Sequence, residues 1–151
     1  MATPGTSPEA VVEVRRTFAA TPERAFEAWI KPEKMTQWFA RGTERNSITR
    51  LEADVRPGGK YMVNILSPDG KSYHISGTYR EVRPPERLVF TWLWEDQPDF
   101  GETLVTVEFR RLGQSAFTEV VLKHELLADK WRADHNQGWI ACFDLLEKVL
   151  A

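Results

Sequence analysis

From residue 47 onward, polar and apolar side chains alternate with period two in six successive segments, near 47–55, 59–66, 72–83, 86–94, 103–111 and 115–124. That period places alternate side chains on opposite faces of a strand. Turn formers stand between the segments: Pro57-Gly58-Gly59, Pro68-Asp69-Gly70, Pro84-Pro85, Pro98 to Gly101 and Leu112-Gly113-Gln114. Connections this short join antiparallel neighbours, so the pattern predicts a meander and not a parallel sheet. One further strand is expected over 11–18, where valines cluster with Phe18.

Helical signals flank the strands. Thr21-Pro22-Glu23 combines an N-cap, a proline at the first helical position and a carboxylate in the first turn, and Phe26, Trp29 and Ile30 follow on one face. Pro32 interrupts this helix. A second short helix over 32–38 brings Met35, Trp38 and Phe39 together. From about Lys130 to Leu150 the period returns to 3.6, with Trp139, Cys142, Phe143, Leu146 and Leu150 on a stripe widened by Ile140, Leu145 and Val149, and Asp129 as N-cap. Gly138 inside this helix costs about 1 kcal/mol relative to Ala. It is read as the point where helix backbone closely approaches the sheet.

The element order predicts an α+β fold: a curved antiparallel sheet of about seven strands gripping one long C-terminal helix, with two short helices between strands 1 and 2. Residues 1–9, rich in Thr, Pro, Gly and Ser, read as a disordered tail, and 10–151 as a single domain.

Alternation also assigns faces. Tyr61, Val63 and Ile65 turn inward, as do Tyr73, Ile75, Gly77 and Tyr79, leaving His74, Ser76 and Arg80 to water. Both faces of 86–94 are apolar, and the more aromatic set, Leu88, Phe90, Trp92 and Trp94, is taken as inward. Val105, Val107 and Phe109 follow, then Thr118, Val120, Leu122 and His124. Aromatic side chains fill cores by area alone. A curved sheet and a single helix also leave a wedge, which is an apolar pocket with few polar groups, the usual form of a small-molecule site.

Composition removes several function classes. A net charge of -2 over 151 residues offers no basic field for a phosphate backbone, so no nucleic-acid partner is expected. The single cysteine, Cys142, excludes an intramolecular disulfide and a cysteine-based zinc site, and fits a reducing compartment, with the cytoplasm as the expected location. No run of about 18 apolar residues exists to span a membrane.

With these elements placed, the chain resembles the START-like, helix-grip superfamily, and within it the family similar to the C-terminal domain of the activator of heat-shock protein 90 ATPase. The resemblance covers about residues 11 to 150. It is carried by Phe18-Ala-Ala-Thr-Pro-Glu-Arg-Ala-Phe26, Trp29, Pro32 and Trp38, and Asp54-Val-Arg-Pro-Gly-Gly-Lys60. Gly77 to Trp92, Thr118 to His124 and His135-Asn-Gln-Gly-Trp139 complete it. It implies a deep cavity between sheet and C-terminal helix, used elsewhere in the superfamily for lipids, hormones and polyketides. The eukaryotic activator carries a separate N-terminal domain that contributes to chaperone binding, and within these 151 residues no counterpart to it is expected.

The expected function is binding of a small hydrophobic molecule by Trp38, Tyr61, Tyr79, Trp92, Trp94, Phe109, His124, His135, Trp139 and Phe143. No catalytic residue, metal or cofactor is assigned. Two alternatives stand beside it. One is a protein-interaction module of chaperone-activator type, using Val89, Leu93 and Phe117 on the outer surface. The other is a cyclase- or hydrolase-like enzyme using His124 in the cavity, with His124 and His135 as acid and base. Gly70-Lys71-Ser72 resembles the end of a phosphate loop, but position 65 is Ile where that loop needs glycine, and a hairpin turn accounts for the segment.

Overall fold

The computed structural model describes residues 11–42 and 45–151. The expected tail, 1–9, lies outside them. A seven-stranded antiparallel sheet runs in the order β1-β7-β6-β5-β4-β3-β2. Its strands are β1 (Val12–Phe18), β2 (Ser47–Ala53), β3 (Lys60–Leu66), β4 (Ser72–Arg83), β5 (Arg87–Trp94), β6 (Thr103–Arg111) and β7 (Thr118–Glu125). The helices are α1 (Pro22–Glu27), α2 (Pro32–Met35) and α3 (Asp129–Leu150). The expected α+β architecture is the observed one.

Five hairpin connections set β2 to β7 side by side, and β1 closes on β7 with Val14 opposite Leu122 and Phe18 opposite Thr118. The Thr118 hydroxyl donates to the Ala20 carbonyl at 2.7 Å, tying the end of β1 to the sheet where the chain turns into α1. Thr21 caps α1 as its sequence predicts, accepting the Arg24 N–H, with Pro22 at the first position. Most of the inward set read from alternation is buried, from Val63, Ile75 and Leu88 to Val107, Val120 and Leu122, while Tyr73, Gly77 and Trp94 are only partly buried.

Between Ser76 and Tyr79 the ladder from β4 to β5 is bridged by side chains. The Thr78 N–H bonds Thr91 Oγ1 at 2.8 Å, and the Tyr61 hydroxyl crosses Gly77 to donate to the Thr91 carbonyl at 2.6 Å. A Cβ at Gly77 would stand 2.0 Å from that carbonyl oxygen and 2.7 Å from the hydroxyl, so glycine is required there.

Several expectations are corrected. Asp129 is the first residue of α3 and Ala128 its N-cap, so the Asp129 carboxylate faces the helix dipole and pairs with Arg132. Ser115 to Phe117 form the turn before β7, because the Ser115 hydroxyl accepts the Phe117 N–H; Phe117, 49% exposed, sits at a hairpin tip and not on a strand face. Val89 does point outward but is only 7% exposed, flanked in register by Glu81 and Thr106. It contributes little to an exposed apolar patch. Ile140 belongs to the exposed side of α3, one residue round from the buried Trp139. α2 stops at Met35, and Trp38 follows in a turn.

Candidate functional site

One half of the wedge between sheet and α3 is solid. Trp29, fully buried in the turn after α1, lies 4.5 Å from Trp38, 6.0 Å from Phe109 and 6.2 Å from Phe143, centroid to centroid. Trp38 donates its indole N–H to the Ala28 carbonyl at 3.0 Å. Phe26 closes on Phe109 at 5.1 Å. Here Trp38, Phe109 and Phe143, three of the expected ligand contacts, pack against protein. Tyr61 and Tyr79 lie in the same packed body, 5.5 Å apart, where burial raises both phenol pKa values.

The other half contains a half-open cavity of about 250 Å³. The sheet contributes Ile65, Tyr73, Trp92 and Trp94, and α3 contributes His135, Gly138, Trp139 and Cys142. Arg41, Asn46 and Asp134 supply the polar part of the lining, with Ala40 and Gly42 beside Arg41. Four expected residues therefore meet here: Trp92, Trp94, His135 and Trp139. A smaller space of about 170 Å³ adjoins them, sharing Tyr73, Trp94, Asp134 and His135 and adding Gln97 and Trp131.

Gly138 has the opposite role to the one its sequence suggests. A Cβ built there would meet nothing within 4 Å. The helix backbone does not press on the sheet at this point; the missing side chain leaves room in the cavity.

The two histidines are held in fixed, opposite tautomers. An indole N–H can only donate. The Trp139 indole donates to His124 Nδ1 at 3.0 Å, so that nitrogen is bare and Nε2 carries the proton. His124 Nε2–H then donates to Thr103 Oγ1 at 2.7 Å, and the Thr103 hydroxyl donates to the Trp92 carbonyl at 2.7 Å. In the second unit the Trp94 indole donates to His135 Nε2 at 2.9 Å, and His135 Nδ1–H donates to the Trp131 carbonyl at 2.7 Å. Burial depresses both imidazole pKa values, well below the ordinary range for His124, which also faces His135. Every ring nitrogen is occupied by protein.

That occupancy limits the chemistry. His124 is 0% exposed, lies behind Trp139 and is absent from the cavity lining. Neither ring has a free nitrogen to accept a substrate proton. Cys142 does border the cavity, but burial pushes its thiol up to about 11 against the opposing backbone N–H groups of Gly42 and Ala40. It is a neutral, poorly nucleophilic thiol. His74 sits half-exposed on the outer face, paired with Asp96 at 3.1 Å. Among the described residues no group of three or more His, Cys, Asp or Glu is placed to hold a metal ion. No described helix is long and apolar enough to cross a membrane.

Sequence reasoning missed Ala40, Arg41, Gly42, Asn46 and Asp134 as lining residues. The 40–46 segment has no periodicity to read. Arg41 Nε donates to the Asn46 carbonyl at 2.8 Å and Asn46 Nδ2 to the Arg41 carbonyl at 2.7 Å, and Ala40 and Gly42 take left-handed φ. Tyr73 was legible from alternation and Cys142 from the helical stripe.

Residues 19–151 match the family described as Activator of Hsp90 ATPase homolog 1-like protein. The chain belongs to this family. Solved structures of the same fold include a protein from Chromobacterium violaceum, with TM-score 0.84 and 24% identity over 93% of this chain and 96% of that one. The AHSA1 protein from Silicibacter pomeroyi gives 0.78 and 26%, over 92% and 96%. A Staphylococcus aureus protein of unknown function gives 0.76 and 24%, over 93% of both chains. Among curated proteins none matches. The helix-grip resemblance seen in the sequence is thus the family's fold.

Proposed function

We propose that this family member binds a small hydrophobic molecule in the cavity between β3–β5 and α3. The observation that carries it is the combination of about 250 Å³ of space with an aromatic lining of Tyr73, Trp92, Trp94 and Trp139 and a helix position, Gly138, that leaves the space open. Helix-grip proteins commonly bind hydrophobic ligands, which agrees with this reading. Binding without catalysis is favoured because both buried imidazoles spend their nitrogens on protein partners. A docking role for the outer surface has less support, since Val89 is covered. A single buried Cys142 fits a reducing compartment such as the cytoplasm.

Native mass spectrometry of freshly purified protein, followed by a thermal-shift screen of aromatic and aliphatic compounds, tests the proposal. A ligand at a hundredfold its Kd adds about 2.7 kcal/mol, a shift of about 5–10 °C for a chain of this size. Gly138→Leu is expected to fold and to lose the shift. A shift retained in full by that variant places the ligand elsewhere.

A further inference from the structure

Beside the larger cavity, the space of about 170 Å³ has a lining of a different chemical kind. Tyr73 from β4, Trp94 at the end of β5 and Trp131 in the first turn of α3 give it three aromatic walls, each partly exposed to water. Gln97, Asp134 and His135 complete it. His135 ties two of the walls together, accepting the Trp94 indole N–H at 2.9 Å and donating to the Trp131 carbonyl at 2.7 Å. A ring that does both is neutral.

Charge then separates the two spaces. The larger cavity sets Arg41 against Asp134, whereas among the described residues around the smaller one Asp134 alone is charged. The neighbouring carboxylates are committed elsewhere, Asp96 to His74 and Asp99 to Lys130. Asp134 has no ion-pair partner among the described residues. Aromatic faces attract cations through the ring quadrupole, and Trp and Tyr walls suit a quaternary ammonium group. One such contact already stands next to the space: the Lys130 ammonium lies 5.1 Å from the Trp131 ring centroid, although Lys130 does not line it. A cavity of about 150 Å³ takes a benzene ring, and a trimethylammonium group is of about that size, so the volume suffices.

We propose that the smaller space binds an organic cation of trimethylammonium size, seated against Tyr73, Trp94 and Trp131 with Asp134 as its counter-charge. The site adjoins the hydrophobic cavity and does not depend on that cavity holding a ligand. Choline and neohexanol test it, because they share a shape and carbon replaces the quaternary nitrogen in the alcohol. Each is titrated at constant ionic strength against the full chain, with the tryptophan indole N–H signals followed by NMR. Choline is expected to bind about five- to tenfold more tightly than the alcohol. Asp134→Asn, at an exposed position, is expected to weaken choline about two- to fivefold and to leave the alcohol unchanged. Trp131→Leu is expected to remove most of the preference.

Equal binding of the two probes overturns the cation claim. No choline binding overturns the site, while the screen of hydrophobic compounds remains a separate test of the larger cavity. A preference that survives both substitutions places choline elsewhere and overturns the proposal too. Should Trp131→Leu fail to fold, Asp134→Asn decides: weakened choline supports the site, and unchanged choline affinity overturns it.

Discussion

The two halves of the wedge have similar composition and opposite packing. Around Trp29, rings from α1, the turn after α2, the sheet and α3 interlock, with Trp38, Phe109 and Phe143 each within 6.2 Å of it. Around Trp92, three indoles, a tyrosine and a histidine enclose about 250 Å³. Aromatic content alone therefore does not decide whether a wedge is filled. Two differences do. The filled half receives Phe26 from α1 and the Trp29 and Trp38 rings that follow α1 and α2, whereas the open half takes Ala40 and Arg41 from the turn after α2 and faces Gly138. The open half also has its indoles tethered: Trp139 to His124 and Trp94 to His135, so neither ring is free to swing into the gap.

Trp29→Ala tests this contrast most severely. It removes the ring on which the solid half converges and is expected to cost about 3–5 kcal/mol, measured by urea unfolding. A cost near that of an exposed residue would mean the two halves are equally loose.

His124→Leu comes next. It strips the acceptor from Trp139 and the donor from Thr103, with an expected loss of about 1–3 kcal/mol. The same pair of histidines predicts an acid dependence. Both fold with pKa values below the ordinary 6.5, so the unfolded chain takes up protons first as pH falls. Stability is thus full above about pH 6.5 and declines progressively below it. Thermal unfolding across that range shows the decline, and His124→Leu flattens it; an unchanged acid slope would locate the titration elsewhere.

Gly138→Ala reverses the sign. With nothing within 4 Å of the added methyl, helix propensity acts alone, and stability rises by about 0.5–1 kcal/mol while ligand affinity falls. Destabilisation would show that the helix does press on the sheet there. His74→Ala, on the opposite face of the sheet, is the control: the half-exposed pair with Asp96 contributes at most about 1 kcal/mol, and ligand binding is unaffected.

The fold was legible because its elements announce themselves through period. Tyr61, Val63 and Ile65 alternate cleanly, and Thr21-Pro22 marks α1 by local chemistry. The site was legible only where it borrows from that period, at Trp92, Trp94, His135 and Trp139. Arg41 and Asn46 are held at the cavity by bonds to each other's backbone carbonyls, and the sequence around them has no repeat to detect. Gly138 was visible but ambiguous, since a glycine on a helix's inner side can admit either a neighbouring backbone or empty space. Val89 misled because its strand is apolar on both sides, and neighbouring strands cover a residue that alternation sends outward.

The Tyr61 hydroxyl spanning Gly77 has a practical corollary for anyone redesigning this scaffold. Positions 61, 77 and 91 form a mutually dependent trio in which a methyl at 77 would collide with main chain, so they should be held constant in any library. Diversity belongs at 65, 73 and 138, whose side chains or lack of one shape the cavity and do not join that trio.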